Sequence, residues 1–210
     1  MKSYSLIRTE EYKALQKLLL SGSILDLGGS SKSGYHELIG GTHTFTVVNY
    51  GEMHPGADLI FNIEEPFPLA DGSYDNVLAM NVLEHIFDYH NVFSEVARVL
   101  KHGGSFVSAT PFMHHIHGSP DDYHRYTAST YRKLAEKYGF EITRVQTLGY
   151  GLFSLLYQTI GGWIPTKILK NVFRILFVSA DKILLNFDLF RRLRDRIPLG
   201  YFVVMKKKSE

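Results

Sequence analysis

Three short stretches of the chain hold residue types that could do chemistry. Residues 23–31 read Ser-Ile-Leu-Asp-Leu-Gly-Gly-Ser-Ser, an apolar run that carries an acid, Asp26, and breaks into a turn at Gly28 and Gly29. Paired glycines take backbone angles barred to other residues and let a ligand approach the main chain. A plain tight turn needs the same pair, so both readings stay open. Glu84-His85 sets a carboxyl beside the side chain that titrates nearest neutral pH, a natural proton acceptor. The same two residues also serve to cap and pack a following segment. Residues 111–127, Pro-Phe-Met-His-His-Ile-His-Gly-Ser-Pro-Asp-Asp-Tyr-His-Arg-Tyr-Thr, form the richest polar stretch. The planar fork of Arg125 suits a carboxylate or phosphate, or an ion pair with Asp122 inside the loop. His114, His115, His117, Asp121, Asp122 and His124 have ligand chemistry, but none sits in the helical His-Glu-x-x-His pattern, and no metal is assigned.

The elements that must position these residues follow from periodicity. Apolar residues at helical spacing run from Glu10 to Leu20 and stop at Ser21-Gly22. Strands are expected at 23–27, 44–49, 57–61, 74–80, 104–110, 141–148 and 200–206, and helices at 33–40, 90–101 and 127–138, the last capped by Thr127 and stopped by Gly139. Strands alternating with helices imply a parallel sheet covered on both faces. Asp26 and the 111–127 loop then fall at carboxyl ends of strands, where such sheets meet ligands.

At 210 residues the chain suits a single domain, 1–210, with a real core. With no cysteine there is neither a disulfide nor a thiolate nucleophile. The amino terminus lacks the apolar core of a secretory signal, and a cytoplasmic location is expected. The net charge of +2 hides an asymmetry: eight basic residues against three acidic ones between Thr166 and Arg196 make that segment +5 and leave the rest at −3. The acidic remainder argues against a broad nucleic-acid footprint.

Asp71-Gly-Ser-Tyr-Asp-Asn-Val-Leu-Ala-Met-Asn-Val-Leu-Glu-His-Ile86 and Leu100-Lys-His-Gly-Gly-Ser-Phe-Val-Ser-Ala-Thr-Pro111, coming in this order after the glycine turn, resemble the class I S-adenosylmethionine-dependent methyltransferases from about residue 20 to 148, with a strand returning near 200–206. Gly-x-Gly-x-x-Gly is absent (positions 28, 30 and 33 are Gly, Ser and Ser), which opposes a nicotinamide cofactor. The resemblance implies a Rossmann-like three-layer α/β sandwich with a seven-stranded, mostly parallel sheet, an antiparallel last strand and a helical insertion before it.

For the cofactor, the resemblance implies that Asp26, Gly28, Gly29 and Ser30 hold the methionine end and that Asn81 completes that pocket. Asn49 and Tyr50 then meet the ribose, Asn62 and Ile63 the adenine, and Leu83 leans on the adenosine. The family usually has acids where Asn49 and Asn62 stand. An amide accepts without charge-assisted strength, so an Asp at 49 is expected to tighten binding, unless Glu52 substitutes. Each Asn also suits a turn. A similar Pro-Phe…His-Gly…Pro-x-Asp-Tyr…Arg-Tyr-Thr run in relatives near glycan and cell-surface pathways implies that Asp122, Tyr123, Arg125 and Tyr126, with Glu84, line an acceptor pocket. His85 and His117 are the candidate catalytic groups. Methyl transfer to a small-molecule or glycan-type acceptor, to oxygen before nitrogen, is the expected activity; a non-catalytic cofactor-binding scaffold is the alternative. The Asn-Pro-Pro-Tyr signature of base-modifying relatives is absent, with Asn81-Val-Leu-Glu in its place, so nucleic acid is not the expected partner.

Residues 150–198 exceed the minimal fold. Val145 to Thr166 is uncharged, yet Gly149, Gly151, Gly161, Gly162 and Pro165 break it, against a membrane span. Beyond it, Lys167, Lys170 and Arg174 share one side of an amphipathic helix whose remainder is apolar. Three roles are open: a lid packed on the sheet, a homodimer interface, or peripheral contact with an anionic membrane.

Overall fold

The computed structural model describes residues 5–30, 33–50, 56–118 and 120–209. Its strands are Gly22–Leu27 (β1), His43–Asn49 (β2), Leu59–Ile60 (β3), Tyr74–Met80 (β4), Leu100–Pro111 (β5), Phe140–Leu148 (β6) and Gly200–Lys207 (β7). They form one sheet in the order β3-β2-β1-β4-β5-β7-β6. The pairs from β3 to β5 are parallel, and β7 runs antiparallel to both β5 and β6. The antiparallel last strand is thus as expected, but it lies inside the sheet, with β6 at the edge.

The inner strands are covered on both faces, which is why they read as nearly unbroken apolar runs. Leu25, Leu27, Val77 and Phe106 face one core, with Val92, Phe93 and Val96 of α2 (Tyr89–Val99) and Tyr131 of α3 (Ala128–Lys137). Ile24, Leu78 and Phe202 face the other, with Leu6, Ile7 and Leu15 of α1 (Leu6–Leu15). Asp88 and Thr127 cap α2 and α3 by accepting from backbone N–H groups three residues on.

Two helix expectations need correction. The first helix starts earlier than Glu10, because Ser5 caps it, and it ends at Leu15. The helix expected at 33–40 is only a single 3-10 turn, His36–Leu38. There the side chains of Tyr35 and His36 turn back to β1, while Leu19 and Gly40 form an isolated bridge that pins the end of the segment. Between β6 and β7 come α4 (Leu152–Ile160), α5 (Lys167–Leu184) and α6 (Asp188–Arg196).

The chain steps outward from β1 to β3 and then returns to the other side of β1 for β4 and β5. The switch point, where sheets of this kind open a ligand crevice, lies between the carboxyl ends of β1 and β4.

Candidate functional site

Gly28 stands exposed at the end of β1 with φ +71, a conformation that favours glycine. A Cβ there would come 2.5 Å from a methyl of Val82, just past β4, so the turn and the β4 end are fitted to one another. Gly29 is required by its neighbour: a Cβ would sit 1.9 Å from Oδ2 of Asp26. Asp26 itself is buried and spoken for. Tyr35 donates its hydroxyl to Oδ2 at 2.7 Å, and His36 Nε2 lies 2.7 Å from the same oxygen. Burial raises the Asp26 carboxyl above its usual range, while the His36 and Tyr35 contacts pull the other way. Asp26 therefore shapes the glycine turn from behind.

The amide of Asn49, at the end of β2, is also engaged. Its Nδ2 donates to the Gly29 carbonyl at 2.8 Å, and its Oδ1 accepts from the backbone of Tyr50 at 2.8 Å. This ties the β1 turn to β2, and the exposed ring of Tyr50 follows. After β3, Asn62 accepts from Glu64 N at 3.0 Å in a local turn, and the buried Ile63 offers its carbonyl to Asn91. Each of the two amide oxygens keeps one lone pair for a ligand. Ser30 N donates to Ser33 Oγ at 2.9 Å. Glu52 lies outside the described residues.

Asn81, at the end of β4, is the sole non-glycine with positive φ (+56) among the described residues. Asn tolerates this conformation best after glycine, and such strain concentrates at ligand sites. Its Nδ2 donates to Oε2 of Glu11 at 3.1 Å. Glu11 comes from α1, is fully buried, leaves Oε1 unpartnered and has its carboxyl raised by burial. Leu83, fully buried, follows in a 3-10 turn, Leu83–His85.

The 111–127 loop folds over that turn. The Glu84 carbonyl accepts from Tyr123 N at 2.7 Å, and Tyr126 donates its hydroxyl to the Leu83 carbonyl at 3.1 Å. His85 Nδ1 lies 2.6 Å from the Asp121 carbonyl. A carbonyl only accepts, so Nδ1 carries a proton, and in that neutral tautomer the ring's lone pair lies on Nε2. That Nε2 is 3.7 Å from Oε1 of Glu84, whose two oxygens are buried without a hydrogen bond. Burial pushes the Glu84 carboxyl up to about 8, with the nearby charges of Glu11 and Asp122 adding and Arg125 opposing. The His85 and His117 rings meet edge to face at 5.1 Å.

Asp122 is the anchor of the loop. It accepts from His117 N at 2.9 Å and from both terminal nitrogens of Arg125, which hold its carboxyl well below the usual range. Arg125 keeps its Nε–H and one Nη2 hydrogen for another partner. Tyr123 is half exposed and donates to Asp121, whereas Tyr126 is buried in the core. The histidine-rich loop does not gather its own ligand set. The described residues bring together Glu84, His85 and His117 instead, with one donor atom from each within 4.8 Å of the others.

Glu11, Tyr35 and His36 were missed by sequence reasoning. Glu11 did leave a signal, as a charge on the apolar side of α1 shared with Ile7 and Leu15. Nothing in the spacing of Tyr35-His36 points back to Asp26.

A cleft of about 530 Å³ opens elsewhere, at the β6 edge, lined by Arg132, Arg144, Gln146, Thr147, Arg194 and Tyr201 among others. It includes none of the residues at the switch point.

The family described as "Methyltransferase domain" matches residues 47–108, from within β2 to within β5. A Mycolicibacterium smegmatis protein described as a probable S-adenosylmethionine-dependent methyltransferase is 33% identical over 112 residues, covering 50% of this chain and 42% of its own length. Over these stretches the chain is similar to S-adenosylmethionine-dependent methyltransferase domains. The chain spans under half the length of that curated relative. Its fold is similar to that of a chain in the Haloferax volcanii complex between the Trm112 methyltransferase activator and a candidate methyltransferase (TM-score 0.62, 16% identity, 98% of this chain and 91% of that one). It is also similar to the [4+2]-cyclase SpnF (TM-score 0.59, 13% identity, 95% and 80%). At such identities the likeness shows the fold alone, and a cyclase among them means that the fold does not specify the reaction.

Proposed function

We propose that this protein transfers the methyl group of S-adenosylmethionine to a small-molecule or glycan-type acceptor, to a hydroxyl oxygen before a nitrogen. The observation that carries the reading is His85, held by the Asp121 carbonyl in the tautomer whose Nε2 faces the Glu84 carboxyl beside the switch point. A base has most to do when the acceptor is a hydroxyl, because a neutral amine is already nucleophilic.

The residues at the crevice fit the cofactor: an exposed Gly28 backbone, a strained Asn81, and amide oxygens at 49 and 62 with a lone pair to spare. When bound, S-adenosylmethionine supplies a sulfonium methyl open to in-line displacement. Gly28 and Asn81 then hold its methionine end, and Asn49, Tyr50, Asn62, Ile63 and Leu83 hold the nucleoside. Arg125, through its remaining N–H groups, and Tyr123 orient the acceptor, while the 111–127 loop excludes water. His85 Nε2 takes the acceptor proton, with His117 beside it. Glu84, protonated at neutral pH, adds no competing charge. Alignment provides most of the rate.

A second reading, a non-catalytic cofactor-binding scaffold, is favoured by the internal use of both Asn49 and Asn62. Turnover separates the two. Formation of S-adenosylhomocysteine should rise on adding the acceptor, be indifferent to a chelator, and fall at least about a hundredfold in kcat for His85→Gln with unchanged cofactor affinity. Cofactor binding without turnover across a broad acceptor panel supports the scaffold instead.

A further inference from the structure

α5 turns its apolar side to solvent. Ile168, Val172, Ile175, Leu176 and Ile183 recur on one face and are 79%, 46%, 62%, 60% and 64% exposed. The other side of the helix is the one that docks. Phe177 stacks on Phe153 at 5.9 Å, and buried Asp181 accepts from the N–H groups of Phe153 and Ser154 at the start of α4. Trp163, in the turn between the two helices, is 88% exposed. This corrects the expectation of a lid packed on the sheet by its apolar side: an amphipathic helix normally buries that side, and this one presents it. Single exposed apolar residues need no explanation, but a row of five on one face does.

Charge selects the occupant. The segment 166–196 carries +5, and of its three acids Asp181 is already consumed against α4. A two-fold dimer through this face would bring two segments of +5 close together. An anionic bilayer surface accepts the same isoleucines at its acyl boundary and is attracted by each Lys and Arg. No helix among the described residues is long and apolar enough to cross a membrane, so the contact is with the surface. We infer that the outward face of α5, with Trp163 and the cations of residues 166–196, is a docking surface for an anionic lipid bilayer. The inference is independent of the methyl-transfer reading.

The chain has a single tryptophan, so its fluorescence reports from the helical hairpin itself. The full chain is mixed with phosphatidylcholine vesicles, with or without phosphatidylglycerol, at low and high salt. The expected result is cosedimentation and a blue shift of Trp163 emission with the anionic vesicles only, weakened by salt. Ile168→Glu with Ile175→Glu should cut partitioning at least about tenfold, since two isoleucines no longer enter the acyl boundary. Lys167→Glu should cut it by about thirtyfold, a two-unit change in charge near the surface. All three sites are exposed, so these variants should keep the parent melting temperature and cofactor affinity. Failure to bind either vesicle, equal binding to neutral vesicles, or a stable dimer whose Trp163 is already shielded without lipid would each overturn the inference.

Discussion

Glu84 offers a test of the site that needs no acceptor. Its side chain is fully buried, its oxygens make no hydrogen bond, and its carboxyl is pushed from 4.5 to about 8. The folded protein therefore keeps this proton up to about pH 8, whereas the unfolded chain releases it near 4.5. Between those values the native state binds the extra proton, and stability falls as pH rises. The contribution is fully present below the unfolded pKa and lost through the folded one. At about 1.36 kcal/mol per unit, the loss is about 3 kcal/mol by pH 7 and about 4–5 kcal/mol above pH 8. Glu84→Gln keeps the shape and cannot ionise. Denaturant unfolding of both proteins at pH 5, 7 and 8.5 compares them directly: Asp26, also raised by burial, remains in both and cancels on subtraction, while Glu11, whose charge acts on Glu84, titrates with it as a pair. The variant should gain on the parent steadily with pH. A stability difference that stays constant within about 0.5 kcal/mol across that range would refute a proton held at Glu84.

Two further substitutions separate positioning from binding. Asn49→Asp replaces the donor to the Gly29 carbonyl with a second acceptor, so it should destabilise the fold by about 1–3 kcal/mol and weaken cofactor affinity, both read by thermal unfolding with and without cofactor. This reverses the expectation from the family pattern, and tighter binding would restore it. Arg125→Ala leaves Asp122, only 1% exposed, without its main partner, so it should cost about 2 kcal/mol in denaturant unfolding before any effect on acceptor KM appears. The figure sits on the low side because Arg125 is itself a quarter exposed. An unchanged unfolding midpoint would show the pair to be dispensable for the loop.

The inner strands were legible because burial on both faces writes itself as Ile24-Leu25 or Val77-Leu78-Ala79. The switch-point residues were legible through the glycine turn and the motif order. What the residues do locally was not. The amides of Asn49 and Asn62 look like ligand groups on paper, yet each first satisfies a neighbouring backbone group, a choice set by turn geometry that no spacing encodes. The 33–40 segment carries a helix-like mix of residues, but Tyr35 and His36 gain more by reaching buried Asp26 than by continuing a short helix. In α5 the pattern revealed amphipathicity but not its direction, because a hydrophobic stripe does not say which way it points.

The placement of β7 has a consequence for how the molecule is assembled. Strands β6 and β7 are paired along their length, yet the chain between them runs from 149 to 199. Closing a loop of about fifty residues costs roughly 3 kcal/mol more in chain entropy than closing a two-residue hairpin. Strand β7 also fills the gap between β5 and β6, so β6 has no neighbour in the sheet, and β5 only β4, until β7 exists. During synthesis the sheet must therefore wait, split in two, while α4 to α6 have already left the ribosome with their apolar side uncovered. The order of emergence exposes the insertion's apolar side before β7 joins β6 to the rest of the sheet.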